Sequence, residues 1–484
     1  MDKTFFISQT LSLTLVIIIS AVFVILGIYH SKKFQGINNY LTANRNISFF
    51  SLTTSLVASA LGAWILFGPA AAATWGGIGA VIGYALGTAF PMIFLIYLGK
   101  KIRKEFPKGS SLVEFTRKKF GKSLFKLILI MTIFYMFIFL CAEVTAVAVL
   151  INYISGTELW ITAFIVLLAT LTYTLYGGLR ASIFTDNIQM IVLAVLLLIS
   201  VSFIISYSGS QFSYSFVKEK NPHLLSKSYI PSYTAGLTFF IAVAATNLFH
   251  QGNWQRVFSA KNNSTLKTSL IYSAIIIFFI VFWMGYSGLI SYSLNSKVAP
   301  DLAFFDLILN EKNSFIVIAI LVLAMSLTLS TIDTLINAIS SVIIVNGNEI
   351  NKRLSGKDIK NKTNLIILLL SILVFVLASK GYSILYLFLL ADLLCCAAVV
   401  TIFYGFFNKK INSTLATYSI ACGLLFGLLF FPSQNFQSSI LVGNLISIDN
   451  FSDFFKTNLL FISFAVSLIV LIFLKQTCFL FPLQ

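Results

Sequence analysis

A chain of 484 residues that is 58% hydrophobic and 10% charged, with mean hydropathy +0.93, carries more apolar surface than a soluble globular fold can use. It reads as an all-α polytopic membrane protein, because a helix satisfies its own backbone polar groups in lipid. The net charge of +17, from 33 basic and 16 acidic residues, does not mark a nucleic-acid partner, because the basic residues follow the spans.

In chain order, thirteen apolar stretches reach spanning length. They cover residues 8–29, 47–74, 77–99, 124–153, 159–176, 183–207, 233–250, 268–292, 314–346, 363–379, 383–407, 412–431 and 455–474. The first is not a cleavable signal peptide: its apolar run is too long, and no small-residue cleavage site follows before Lys32. With the N-terminus outside, one set of loops holds 25 of the 33 basic residues, Arg256 among them. The positive-inside rule puts that set, and the C-terminus, in the cytoplasm. A multi-pass protein of the plasma membrane, the inner membrane in a bacterium, is expected. The five cysteines lie in spans or near the C-terminus, in no disulfide or zinc pattern.

Two spans look interrupted. The second contains Gly62, Gly68 and Pro69; the seventh ends on Asn247, His250, Gln251 and Gly252. Five spans separate them, so spans 2–6 and 7–11 cross in opposite directions. Paired broken helices in inverted halves mark transporters with a site at mid-membrane. The ninth span carries a polar stripe: Ser330, Asp333, Thr334, Asn337 and Ser341 fall within roughly a 100° wedge of Ser326 on a helix. Such a stripe needs a partner other than lipid, and the broken second span is the expected one. Four acids lie within spans, Glu143, Asp186, Asp333 and Asp392, with no base placed at mid-membrane to neutralise them. Protonation, a hydrogen-bond network or a bound cation would then satisfy them. His250 is the one histidine at a span end, so haem ligation or a metal-assisted His site has no support.

Three motifs resemble those of the sodium:solute symporter family: YGGLRASIFTDNIQ (176–189), QRVFSAKN (255–262) and STIDTLINAISS (330–341). The resemblance covers roughly residues 5–410. It implies a LeuT-like core of two inverted five-helix repeats, with one helix before and two after. The domains would be a peripheral helix 8–29, repeats 47–207 and 233–407, and two C-terminal helices within 412–475. It implies a Na+ site made of carbonyls of Ala58, Leu61 and Leu327 with hydroxyls of Ser330 and Thr331. Asp186, Asp333 and Thr334 would form a second cation site or a release path. The solute would sit against Gly62, Ala63, Trp64, Asn247, His250 and Gln251.

Two positions depart from members of known substrate. Ala60 stands where proline-transporting members have aspartate, and His250 where sugar-transporting members have asparagine. The stretch 59–87 is closest to the branch that contains urea-active transporters and uncharacterised bacterial relatives. The expected function is Na+-coupled symport of a small polar organic solute into the cytoplasm by alternating access. The alternatives are H+ coupling in the same fold, a passive facilitator or sensor, and a membrane-embedded transferase. No enzymatic activity and no organic cofactor are expected, and the monomer is the expected functional unit.

Overall fold

The computed structural model describes residues 5–33, 36–309, 313–350, 356–408, 411–434 and 457–480, together with Phe436, Ser439 and Leu441. Among these residues the protein is helical throughout, and extended pairing is confined to two isolated bridges, Ile47 with Ala260 and Pro432 with Ser439. In order the helices are α1 (Gln9–Ser31), α2 (Ile37–Thr42), α3 (Phe49–Ala60), α4 (Gly68–Glu105), α5 (Leu112–Phe120), α6 (Lys122–Ser155), α7 (Leu159–Ser208), α8 (Tyr214–Lys220) and α9 (Ile230–Phe249). They continue with α10 (Gln251–Ser259), α11 (Asn263–Leu294), α12 (Ala303–Leu309), α13 (Ser314–Ile350), α14 (Gly356–Ala378), α15 (Ile384–Phe407), α16 (Ser413–Phe430) and α17 (Leu459–Leu480).

Among the described residues ten helices are long and apolar enough to cross a membrane, and two shorter apolar helices, Phe49–Ala60 and Leu459–Ile472, add to them. The expected count of thirteen is not confirmed by helix number, since two of these helices each join two stretches across a sharp glycine kink. The stretches 47–74 and 77–99 share α4, and 159–176 and 183–207 share α7. Each long helix carries one glycine outside helical geometry: Gly77 at φ +57° and Gly178 at φ +61°. Only glycine takes such a conformation without cost, and each also lacks room for a side chain. A Cβ on Gly77 would lie 2.3 Å from the Leu224 carbonyl oxygen, and one on Gly178 2.4 Å from the Tyr40 ring. One residue thus replaces the loop that the hydropathy pattern implies.

Helix α13 is the axis of the bundle: 83% of its most apolar stretch is buried, against 28% for α1, α7, α14 and α16. The latter present Ile, Leu, Val and Phe outward, as a lipid-facing wall does. Inside, close packing is set by small residues. Gly79, Gly83 and Gly87 recur every fourth position on α4 and face α9, where Cβ atoms would lie 2.1 Å from the Ser232 oxygen, 2.1 Å from the Gly236 oxygen and 2.8 Å from the Phe239 oxygen. This is the small-xxx-small pattern that lets helix backbones touch in lipid, where no hydrophobic effect drives them together. Gly288 of α11 meets α4 in the same way, at the Ala70 carbonyl. Helices α4, α9 and α11 therefore form one tight unit beside the site.

Gly83→Leu should force α4 and α9 apart. Overpacking of this kind costs about 1–3 kcal/mol, and here the obstacle is rigid backbone. The unfolding midpoint in detergent is expected to fall by several degrees, while Ile82→Leu on the exposed face of the same turn leaves it unchanged.

Candidate functional site: two broken helices and the α13 stripe

The first break lies between α3 and α4. Helix α3 stops at Ala60; Leu61 (φ −107°, ψ 86°) and Gly62 (ψ −173°) are extended, and Ala63–Leu66 form one 3-10 turn before α4 begins at Gly68 and Pro69. Proline lacks the amide that would continue a helix but suits a first turn. The groups freed by the break find partners. Ala63 N–H donates to Glu143 Oε2 at 2.8 Å, and Trp64 Nε1–H donates to the Ala60 carbonyl at 3.2 Å. Glu143 comes from α6 and is fully buried, and among the described residues its Oε1 has no hydrogen-bond partner. A Cβ on Gly62 would lie 2.1 Å from that oxygen and 2.8 Å from Thr331 Oγ1. Three helices thus converge on Gly62, and any side chain there would displace a carboxylate or a hydroxyl.

The second break lies between α9 and α10. His250 is extended (φ −62°, ψ 116°), ending α9 and capping α10, and its Nδ1 accepts the Gly252 amide at 3.0 Å. The last carbonyls of α9 are taken by side chains from the far side of the break: Asn253 Nδ2 reaches Asn247 O and Trp254 Nε1 reaches Leu248 O, each at 2.8 Å. Such partners are what a helix end in lipid requires. Gln251 is used differently. Its amide bridges Ser110 O (3.1 Å) and the Leu112 amide (3.3 Å), holding α10 to the first turn of α5. That turn is itself fixed by a capping box between Ser111 and Glu114. Burial raises the Glu114 carboxyl above its usual range, against the lowering effect of the bonds from Ser110 and Ser111.

The expectation that no base reaches the buried acids is overturned by Arg256. It is wholly buried, and its Nη2 lies 2.7 Å from Asp186 Oδ2. Its Nε donates to Ser55 Oγ (2.8 Å), Nη1 to Gly252 O (3.1 Å) and Nη2 also to Thr334 Oγ1 (3.0 Å). The sequence puts Arg256 in a cytoplasmic loop because the apolar run ends at 250. The break starts a new helix there, and that helix carries residue 256 inward. Asp186 further accepts from Ser55 Oγ (2.5 Å) and Ser330 Oγ (2.6 Å). Its neighbour Asn187 accepts from Thr54 and donates to Ser51. The Asp-Asn pair of α7 therefore grips α3 along one side.

The stripe on α13 has α7 as its main partner, where the broken second span was expected. Asp333 accepts from Ser182 (2.8 Å), Tyr173 (2.8 Å) and Thr185 (3.1 Å), and lies 3.4 Å from Thr334 Oγ1. Thr331, next to the stripe, faces the first break, with its hydroxyl donating to Leu327 O at 3.2 Å. Ser330 and Thr331 both direct their protons elsewhere, to Asp186 and Leu327. The Thr331 oxygen lies beside Gly62, and the Ala58 and Leu61 carbonyls lie at or beyond the last turn of α3. A set of neutral oxygens of that kind suits a hard monovalent cation.

Between the breaks lies a small cavity, about 40 Å³ of room for water. Trp64, Asn247 and His250, expected against a solute, line it. Gly62, Ala63 and Gln251, also expected there, do not: the Ala63 amide is held by Glu143, and Gln251 is turned toward α5. The structure adds Tyr84, Thr246 and Asp392 to the wall. Asp392 was visible in the sequence as an acid in an apolar span; its place beside the two breaks was not.

The model of the Sodium:solute symporter family matches residues 40–423. Among characterised proteins, the chain is 26% identical over 430 residues to "Spermidine transporter DUR31" of Candida albicans, covering 88% of this chain and 80% of that protein. It is 25% identical over 311 residues to "Sodium/glucose cotransporter 4" of Danio rerio, covering 58% of this chain but only 46% of that protein. Among solved structures it is similar to a Na+-coupled sialic acid symporter in a substrate-bound outward-open state, with a TM-score of 0.71 at 17% identity over 96% of this chain and 97% of that one. It also resembles a nucleobase-cation-symport-1 family transporter in a closed conformation, with a TM-score of 0.54 at 14% identity, covering 92% and 96%. These structural likenesses bear on the fold alone, a membrane-embedded multi-pass bundle with a LeuT-like core. The family match spans most of the chain and includes all three motifs, and the protein belongs to the sodium:solute symporter family.

Proposed function

We propose that the protein couples downhill Na+ influx to uptake of a small polar organic solute by alternating access. The observation that carries this reading is the convergence of two broken helices and the Thr331 hydroxyl of α13 on one small cavity. In this reading the carbonyls of Ala58, Leu61 and Leu327 and the hydroxyls of Ser330 and Thr331 hold Na+. The ion ties the end of α3 to α13 and orders the break at Gly62, so the cavity beside it accepts solute better. The repeats 47–207 and 233–407 then rock against each other. The chain acts as a monomer in the plasma membrane, with the N-terminus outside and the C-terminus cytoplasmic.

On the side assigned to the cytoplasm, closure rests on specific links. The Ile47 amide bonds to Ser259 O and the Lys261 amide to Ile47 O, each at 3.1 Å. Arg103 donates to Val257 O (3.1 Å) and Ala260 O (2.9 Å). The first two join the start of α3, and the Arg103 pair the end of α4, to the end of α10, and inward opening breaks those between α3 and α10 together. The energy is adequate: one charge crossing 100 mV releases about 2.3 kcal/mol, and a tenfold Na+ gradient adds about 1.4 kcal/mol.

The charge balance at the second site favours one further cation. Asp186 and Asp333 share a single Arg256, and Asp333 meets hydroxyls only. Asp186, Asp333 and Thr334 therefore carry a second Na+ or a proton, and an H+-coupled transporter of the same fold places its proton on Asp333 or Asp186. Uptake in choline buffer at several pH values separates the two: Na+ coupling predicts none above background at any pH, whereas H+ coupling predicts uptake that grows as the outside is acidified.

Two substitutions test the ion sites. Ser330→Ala with Thr331→Ala removes two oxygens of the cage, and Na+-stimulated uptake into proteoliposomes is expected to vanish while the protein still folds; unchanged uptake refutes the assignment. Asp186→Asn strands the Arg256 guanidinium. Breaking a buried pair costs about 3–5 kcal/mol, so the unfolding midpoint should drop sharply. Adding Arg256→Gln should recover part of that loss, a coupling that a thermal double-mutant cycle reads directly.

A further inference from the structure

We propose that the cavity between the two breaks takes a short solute bearing an ammonium group, with Asp392 as its counter-charge. The inference rests on the symport reading and names the solute class of that same cavity.

Asp392 lies on α15, 4% exposed, at the cavity wall. Among the described residues its side-chain partner is the Thr246 hydroxyl, 2.7 Å from Oδ1. That hydroxyl also lies 3.1 Å from the Ala242 carbonyl and has one proton for both. No lysine or arginine lines the cavity. Arg256 is committed to Asp186, Ser55, Thr334 and the Gly252 carbonyl. His250 does not supply the charge either: its Nδ1 accepts the Gly252 amide, so the ring carries its proton on Nε2 and is neutral. Among the described residues of the lining, Asp392 is thus the one group whose charge would match a cation. An uncompensated carboxylate at this depth costs several kcal/mol, and a cationic solute removes that cost on binding.

The hydrogen-bond inventory points the same way. Ser59 donates back to Leu56 O and Thr331 to Leu327 O. Asn247 and Asn253 each spend one amide N–H, on Val243 O and Asn247 O, and keep the other N–H and the Oδ1 acceptor. Acceptors outnumber donors on the wall: the Asp392 carboxyl, two amide Oδ1 atoms and the hydroxyl oxygens of Ser59, Thr246 and Thr331 face the His250 Nε2–H, the Tyr84 hydroxyl and one N–H from each asparagine. An ammonium carries three donors and no acceptor. The stacked rings of Trp64 and Tyr84, 5.5 Å apart, add aromatic surface that attracts a cation. A carboxylate solute would meet like charge, and a neutral one would leave Asp392 unmatched.

The test is thermal unfolding of the purified full-length protein in NaCl and in choline chloride, against ethylammonium, 1,3-diaminopropane, propionamide, urea and acetate. The two amines should raise the midpoint in Na+, and the neutral and anionic probes should not. Asp392→Asn, close in shape and still able to accept from Thr246, should weaken the amine response by about 30-fold or more, the size expected for truncating a buried charge partner. Asp392→Glu should retain a response. The rise produced by Na+ alone should persist in Asp392→Asn, which shows that the variant is folded. The inference is overturned if neither amine stabilises the wild type, if propionamide, urea or acetate does so as well, or if Asp392→Asn responds to amines like the wild type. Absence of any Na+-induced rise in the wild type would sink the symport reading instead, whatever the amines do.

Discussion

Inside a bilayer, every charge and every unpaired backbone group must find its partner within the protein, because lipid offers none. The structure answers this demand at one place. Arg256 neutralises Asp186, Ser55 and Ser330 complete the carboxylate, and Thr334 links the pair to the hydroxyl-wrapped Asp333. This network fastens α3, α7, α10 and α13 to one another. The two helix breaks are tolerable for the same reason: Glu143 receives an amide freed by the first, and Asn253 and Trp254 cover carbonyls left by the second.

How much of this was legible in the sequence depended on the kind of signal. Breaks at Gly62 and His250 could be read because glycine, proline and polar residues interrupt apolar runs. The stripe on α13 could be read because its period is helical. Both signals are local. The partner of the stripe could not be read, since nothing local says whether Asp333 meets α3 or the Ser182 and Tyr173 hydroxyls of α7. Arg256 was misplaced for a related reason. Hydropathy places a residue by its neighbours, and residues 251–256 are polar because they pack in a polar interior, not because they lie in water.

The span count illustrates a different limit. A hydropathy plot separates 77–99 from the preceding stretch, and 183–207 from its own, as though loops joined them. The chain uses a single glycine of positive φ in each case. The tight face formed by Gly79, Gly83 and Gly87 is also written in the sequence at a spacing of four. Its counterpart on α9, Ser232, Gly236 and the backbone near Phe239, is visible only once the two helices are superposed in space.

The backbone bridge between Ile47 and the segment around Ala260 has a consequence for coupling efficiency. It yokes the discontinuous helix of one half to that of the other, so neither can swing away alone. Intermediates with only one of them displaced are disfavoured. In the proposed cycle such half-released states are where ions would slip through without cargo, and the yoke would protect its stoichiometry.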